Sequence, residues 1–207
     1  MSKSCLIISG GEYAPFEKPA EGCLVIACDR GYEHARRAGI RPDLLVGDFD
    51  SCAADVEAGV ELLRFPPEKD DTDTLLALRT ALARGCRELT LVCALGGRLD
   101  HTVANLQALV FAAEQGCAAR ICSPDTEITA LREGSLRLPR REGFSLSVFA
   151  AGGLCRGVSI RGAKYPLGDA ELRPGLPLGV SNEWAAPEAE ISVREGTLLI
   201  VEARIPG

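Results

Sequence analysis

Residues 44–51 read Leu-Leu-Val-Gly-Asp-Phe-Asp-Ser, an apolar run that ends in a glycine and two closely spaced aspartates. The run at 43–46 is typical of a buried strand, and ligands of open parallel sheets bind beyond the carboxyl ends of such strands. Asp48 and Asp50 are two residues apart, so both can project to the same side of an extended segment. Carboxylates this close repel each other unless a cation lies between them. The stretch predicts either a magnesium site or a solvated turn.

Three further segments place polar residues at predicted strand ends. Asp29 directly follows the apolar run 23–28, and an acidic stretch at 69–73 stands at the start of a predicted helix over 72–84. Helix capping explains one of those side chains, but not three aspartates in four positions. Gly96-Gly97-Arg98 joins a predicted strand to a helix, as in an ordinary turn or a phosphate-binding turn. Together the four segments predict a magnesium–nucleotide site at one edge of a sheet.

The hydrophobic rhythm divides the chain into two parts. Up to about residue 123, short apolar runs alternate with helical patterns over 31–38, 72–84 and 100–115, which predicts a mostly parallel sheet with helices on both faces. Short alternating runs separated by glycine- and proline-rich turns follow, which predicts an antiparallel β-sandwich. The fold class is therefore α/β followed by a β-sandwich, with domains at 1–125 and 126–207. The short runs of the second part lie at 127–131, 136–138, 144–149, 154–160, 170–172, 189–193 and 197–203.

Composition excludes several classes of protein. The 207 residues include 23 basic and 29 acidic side chains, and a net charge of −6 gives little attraction for nucleic acid or anionic lipid. No apolar run approaches the roughly 20 residues of a membrane span. The nine cysteines are odd in number and scattered, without a Cys-x-x-Cys pair, and only two histidines are present. We therefore expect thiols in the reducing cytoplasm rather than disulfides or a zinc site.

The order and spacing of these motifs resemble the thiamine pyrophosphokinase family. Each piece is unspecific alone, but together they extend over nearly the whole chain. The matching stretches are Cys28-Asp29-Arg30-Gly31, Pro42-Asp43, Gly47-Asp48-Phe49-Asp50-Ser51, Lys69-Asp70-Asp71-Thr72-Asp73, Gly96-Gly97-Arg98-Leu99-Asp100-His101, Asn105, Lys164-Tyr165-Pro166-Leu167 and Gly179-Val180-Ser181-Asn182-Glu183.

The resemblance implies a magnesium-dependent transfer of pyrophosphate from ATP to thiamine, by a homodimer with active sites between its subunits. The first domain would bind ATP and magnesium, and the second would bind thiamine and form the dimer. The implied catalytic residues are the four metal ligands Asp29, Asp48, Asp50 and Asp73, together with Asp100. The implied nucleotide contacts are Ser51, Lys69, Thr72, Gly97 and Arg98. The implied thiamine contacts are Asp100, Asn105, Tyr165, Ser181 and Asn182, of which the last three would come from the partner subunit.

Two positions depart from the family pattern, and two rival functions stay open. Arg30 stands where the family often has a small residue, and Tyr165 stands where animal and fungal members carry tryptophan. Tyr165 would still offer an aromatic face to a cationic thiazolium ring. Trp184 and His101 fit either substrate contact or a structural role, in packing and capping respectively. The rivals are a magnesium-dependent phosphohydrolase and a non-catalytic nucleotide-binding regulator. A dinucleotide dehydrogenase is disfavoured, because the first predicted strand is not followed by the Gly-x-Gly-x-x-Gly turn of that class.

Overall fold

A computed structural model describes residues 3–48, 56–65 and 71–206. The chain divides into two compact units, one formed by Met1–Ala112 with Ala119–Pro124 and the other by Ala113–Ala118 with Asp125–Gly207. In the described part of the chain, no helix is long and apolar enough to cross a membrane. The roles expected of domains 1–125 and 126–207 stay predictions.

The first part of the chain alternates strands and helices, as the sequence predicts. Its strands are β1 Lys3–Ile8, β2 Leu24–Cys28, β3 Leu44–Gly47, β4 Glu61–Arg64, β5 Cys86–Val92 and β6 Ala118–Cys122. Its helices are α1 Gly31–Arg37, α2 Asp73–Ala83 and α3 Leu99–Glu114. The strand order is β6-β5-β1-β2-β3-β4, and the neighbouring pairs from β5 to β4 are parallel. The expected parallel α/β architecture is confirmed.

β1 lies at the point where the strand order reverses, with β2 on one side and β5 on the other. The carboxyl ends of these parallel strands all meet one edge of the sheet, so the loops after β1, β2, β3 and β5 begin side by side. Such a reversal opens a crevice in which α/β proteins bind ligands. The fold therefore puts three of the four motif-bearing segments at the expected edge.

One strand of this unit was not predicted. β4 has only two apolar residues, Leu62 and Leu63, between charged ends, and it forms the exposed edge beyond β3. This pattern is too short to show the periodicity of a strand. The segment is a strand because it pairs with the buried strand β3, and that pairing is not visible in the local sequence.

The second unit is antiparallel. Its strands are β7 Thr126–Pro139, β8 Phe144–Arg161, β9 Leu167–Leu172, β10 Gly179–Asn182 and β11 Glu188–Arg204. They run in the order β10-β8-β11-β7, with β9 also paired to β8. Six of the predicted short runs are halves of three long strands, so those predicted ends are wrong. Interior glycines such as Gly134 and Gly196 coincide with shifts of register rather than with chain reversals.

Each half of β8 has its own second partner in addition to β11. The first half pairs with β10 near Val148, and the second half pairs with β9 near Val158. Both halves contribute to the same buried cluster, which also contains Trp184. Residues before and after the irregular middle of β8 thus pack into the same core.

Candidate active site

The carboxylate of Asp29 lies against the end of the neighbouring strand. Asp29 follows β2 with a left-handed φ of 39° and donates its backbone N–H to the carbonyl oxygen of Val46 at 3.2 Å. A Cβ atom at Gly47 would stand 1.8 Å from Asp29 Oδ1. Only glycine therefore leaves room for this carboxylate, immediately before Asp48. The sequence motif places Asp29 and Asp48 together for a steric reason.

Asp73 reaches the same edge through the start of α2. Its backbone carbonyl accepts a hydrogen bond from the thiol of Cys28, the last residue of β2, at 3.5 Å. The next residue, Thr74, is buried and donates its hydroxyl proton to Ser9 Oγ, just beyond β1, at 3.1 Å. These two contacts fix the first turn of α2 above the carboxyl ends of β1 and β2.

Part of the expected metal site falls outside the described residues. These residues are Asp50, which completes the predicted carboxylate set, and the predicted nucleotide contacts Ser51 and Lys69. Within 3–48, 56–65 and 71–206, no three His, Cys, Asp or Glu side chains converge closely enough to hold a metal ion. The donors that are described, Asp29, Asp48 and Asp73, are carboxylates, which is the ligand type that magnesium prefers.

The paired glycines adopt the conformation that their sequence suggests. Gly96 and Gly97 have φ values of 78° and 67°, which other residues rarely adopt. Glu12 packs on this turn, because a Cβ at Gly96 would lie 2.6 Å from its carboxylate oxygen Oε2. The Glu12 backbone N–H also donates to the carbonyl of Leu95 at 3.1 Å. The first loop thus brings to the predicted phosphate turn an acidic side chain that the motif analysis missed.

Arg98 and Asp100 form an ion pair beside the glycine turn. Arg98 Nε donates to Asp100 Oδ1 at 3.1 Å, and a second guanidinium nitrogen donates to Oδ2. The hydrogen bond from Arg98 is the main reason why the pKa of Asp100 lies below its ordinary value, and the same bond raises the pKa of Arg98. Both side chains are exposed, so each remains accessible to a ligand. The predicted nucleotide contact and the predicted thiamine contact are therefore each other's partners here.

Three other residues from the motifs make structural contacts. Asn105 is buried and donates its side-chain amide to the carbonyl of Ala94 at 2.7 Å, which ties α3 to the end of β5. Thr72 caps α2 by accepting the backbone N–H of Leu75 at 3.2 Å. The backbone N–H of His101 donates to Asp100. Asn105 and Thr72 thus position the site's elements, and whether they also touch a substrate stays a prediction.

His34 supports the loop after β1. It is buried, and its Nε2 lies 3.0 Å from the carbonyl oxygen of Gly11. The ring of Tyr13 lies 5.5 Å from the His34 ring, and the Arg37 guanidinium lies 3.8 Å above Tyr13. The side chains of α1 therefore fix the loop that carries Glu12. Nothing in the local sequence pattern indicates these contacts.

In the second unit, Asn182 holds the segment that presents Tyr165. Asn182 is buried, and its Oδ1 accepts the backbone N–H groups of Tyr165 and Glu183, both at 3.0 Å. Its Nδ2 donates to the carbonyl of Tyr165 at 2.8 Å. Lys164 adds a salt bridge to Glu183 at 3.1 Å. Tyr165 itself is 61% exposed, so it is accessible to a ligand, and its contact with thiamine stays a prediction.

The remaining motif residues of this unit separate into one exposed and one buried side chain. Ser181 is exposed and has a left-handed φ of 58°. Trp184 is buried in the core and donates its indole N–H to the carbonyl of Leu138 at 3.0 Å. Of the two roles considered for Trp184, packing is therefore the one that the structure supports.

Two family models match the chain in succession. Residues 19–121 match the catalytic domain of thiamin pyrophosphokinase, and residues 134–198 match the vitamin B1 binding domain of the same enzyme. The first match contains Asp29, Asp48 and Asp73, and the second contains Tyr165 and Asn182. The matched ranges thus include these acidic and thiamine-side motif residues, whereas Glu12 precedes the first range.

Comparisons over the whole chain agree with the two family models. A thiamine pyrophosphokinase of Bacillus subtilis (strain 168) is 28% identical over 189 residues, covering 88% of each chain. The crystal structure of thiamine pyrophosphokinase from Bacillus subtilis has a TM-score of 0.87 at 25% identity, covering 99% of this chain and 100% of that one. A thiamin pyrophosphokinase family protein from Enterococcus faecalis has a TM-score of 0.83 at 29% identity, with the same coverage. The chain belongs to the thiamine pyrophosphokinase family.

Proposed function

We propose that this protein transfers the pyrophosphoryl group of ATP to the hydroxyethyl oxygen of thiamine, giving thiamine diphosphate and AMP. The observation that carries the proposal is the succession of a catalytic-domain match and a vitamin B1 binding-domain match along one chain. The acidic sheet edge supports it, because a triphosphate needs cations, and the carboxylates can hold them there.

Asp29, Asp48, Asp50 and Asp73 would hold magnesium. The steric fit of Asp29 over Gly47 supports this assignment, because it keeps a carboxylate at the edge where Asp48 follows. Magnesium, when bound, supplies positive charge beside the phosphate oxygens.

The chain's own residues would position the two substrates. Arg98 would grip a phosphate, and the backbone of Gly97 and the side chains of Ser51, Lys69 and Thr72 would add nucleotide contacts. The alcohol oxygen would attack the β-phosphorus as AMP leaves, and a carboxylate of the same edge would accept the alcohol proton. Asp100 and Asn105 would meet thiamine on one side, and Tyr165, Ser181 and Asn182 of the partner subunit in a homodimer would cover it.

The decisive experiment incubates the full chain with ATP, magnesium chloride and thiamine, and separates the products by chromatography. We expect thiamine diphosphate and AMP in equal amounts, and almost no AMP when thiamine is omitted. Phosphate release without thiamine would instead indicate a phosphohydrolase, and ATP binding without turnover would indicate a regulator.

A pair of matched variants tests the site itself. Asp29→Asn should abolish turnover because it removes one of the proposed metal-binding charges. Glu61→Gln is the control, since Glu61 is an exposed carboxylate that pairs with Arg84 and lies at the amino end of β4, opposite to the acidic edge. Equal activity in the two folded variants would remove Asp29 from the site.

The proposed setting is the cytoplasm, where ATP is abundant and thiols stay reduced. Eight of the nine cysteines lie in the described residues, and none of these eight forms a disulfide. The test is the distribution of the tagged chain between cytoplasmic and membrane fractions.

A further inference from the structure

β10 contains a bulge where it pairs with β8. Gly179 is opposite Val148, and Asn182 is opposite Leu146, so three steps along β10 match two steps along β8. One residue of β10 is therefore extra, and it falls within Val180–Ser181. Bulges of this kind turn a side chain in a new direction and often lie beside active sites.

The bulge is held by a hydroxyl group. Ser181 has the left-handed φ of 58°, and its backbone N–H donates to Ser147 Oγ at 3.0 Å. Ser147 lies on β8 at the position that the bulge faces, and it is only 8% exposed. The side chain of Ser147 thus provides the hydrogen-bond acceptor that regular strand pairing would otherwise provide.

A residue without a side-chain oxygen at position 147 would not hold this arrangement. A left-handed serine costs about 1 kcal/mol or more and persists only where its surroundings favour it. Loss of the acceptor would leave the Ser181 N–H to water, which its exposed position permits. Ser181 would then be free to relax towards a regular strand conformation, and its side chain would turn to another direction.

We propose that Ser147 is a positioning residue of the thiamine site, because its hydroxyl holds the bulge that sets the direction of Ser181. The proposal rests on the proposed function, in which Ser181 contacts thiamine. Ser147 itself is buried and acts through Ser181.

Three variants of β8 test this role. Ser147→Ala removes the acceptor, Ser147→Thr keeps it, and Ser145→Ala is the matched control two residues earlier on the same strand. The Ser145 hydroxyl also makes a main-chain contact, to the carbonyl of Ala203 at 3.2 Å, but this carbonyl belongs to β11 and not to β10. We expect Ser147→Ala to raise the KM for thiamine by about three- to tenfold, the range for one lost hydrogen bond. The KM for ATP should stay unchanged, as should both constants in Ser147→Thr and Ser145→Ala.

Substitutions at Ser181 provide an independent measurement. Ser181→Ala loses the hydroxyl but keeps the strained backbone, whereas Ser181→Gly loses both, so the glycine variant should have the higher Tm. In a Ser181→Ala background, Ser147→Ala should add little to the thiamine KM, because residues that act through each other are not additive.

The outcomes separate the two proposals. If wild type forms no thiamine diphosphate, the proposed function fails and the role of Ser147 fails with it. If wild type is active, a wild-type thiamine KM in Ser147→Ala overturns the positioning role, as does a parallel rise in the KM for ATP. Full additivity with Ser181→Ala would also overturn it, since Ser147 would then act independently of Ser181.

Discussion

Replacement of Gly47 by alanine tests the geometry of the acidic edge. The new Cβ would lie 1.8 Å from Asp29 Oδ1 and 2.6 Å from its Cγ, whereas real Cβ contacts essentially never fall below 3.0 Å. The carboxylate must therefore retreat by more than about 1 Å. It can do so by rotating its side chain, since all the closest atoms belong to Asp29.

The expected cost to stability is small, and the expected cost to catalysis is large. An off-rotamer aspartate costs about 0.5–1.5 kcal/mol. Gly47 does not have a left-handed φ, so alanine can adopt its backbone conformation. Because alanine also restricts the unfolded chain, it stabilises the folded protein by about 0.4–1 kcal/mol. The two nearly cancel, and the Tm should change by only a few degrees. A displacement of about 1 Å at a catalytic centre, by contrast, costs about a hundredfold in rate.

The assay combines thermal unfolding with the turnover number for AMP formation at saturating thiamine and magnesium. Gly153→Ala is the matched control, because a Cβ there would meet no atom within 4 Å. A folded Gly47→Ala enzyme with the wild-type turnover number would refute the reasoning. That result would show that catalysis does not require the Asp29 carboxylate at its position against Gly47.

Three further predictions concern single side chains. Asp50→Asn should abolish turnover with the fold intact, and near-normal activity at saturating magnesium would remove Asp50 from the metal site. Tyr165→Ala should weaken thiamine binding much more than ATP binding in calorimetric titrations, and equal losses would assign Tyr165 to the fold or dimer. Burial raises the pKa of Glu202 above its ordinary 4.5, although Arg141 opposes the shift. The contribution of Glu202 to stability is therefore complete below about pH 4.5 and is lost as the pH rises through the folded-state pKa. The Tm of Glu202→Gln minus the Tm of wild type should accordingly be higher at pH 7 than at pH 4.

The edge of the sheet could be predicted because its signals are local. An apolar run predicts a strand, and the residue after it must lie at the strand's end, which is enough to place Asp29 and Asp48. The parallel arrangement of β2, β3 and β5 then follows from the helices α1 and α2 that separate them, whereas β1 and β2 are joined without a helix. The pairing of Arg98 with Asp100 was equally local, but the motif assigned the two side chains to different substrates without considering that they bind each other.

The remaining features depend on contacts between distant residues. Glu12 reaches Gly96 only after the loop after β1 aligns with the end of β5, and Ser147 meets Ser181 only across a bulge. The predicted strand ends of the second unit were wrong for a related reason. A glycine that shifts the register of a paired strand has the same local signature as one that reverses the chain, and only the partner strand distinguishes the two.

The burial of Trp184 has a practical consequence for unfolding experiments. It is the one tryptophan of the chain, and its indole is 7% exposed within the core of the second unit. Intrinsic tryptophan emission therefore reports on the vitamin B1 binding region and is blind to the catalytic region. A denaturant titration followed by this emission and by far-ultraviolet circular dichroism together will show whether the two regions melt in one cooperative step or in two.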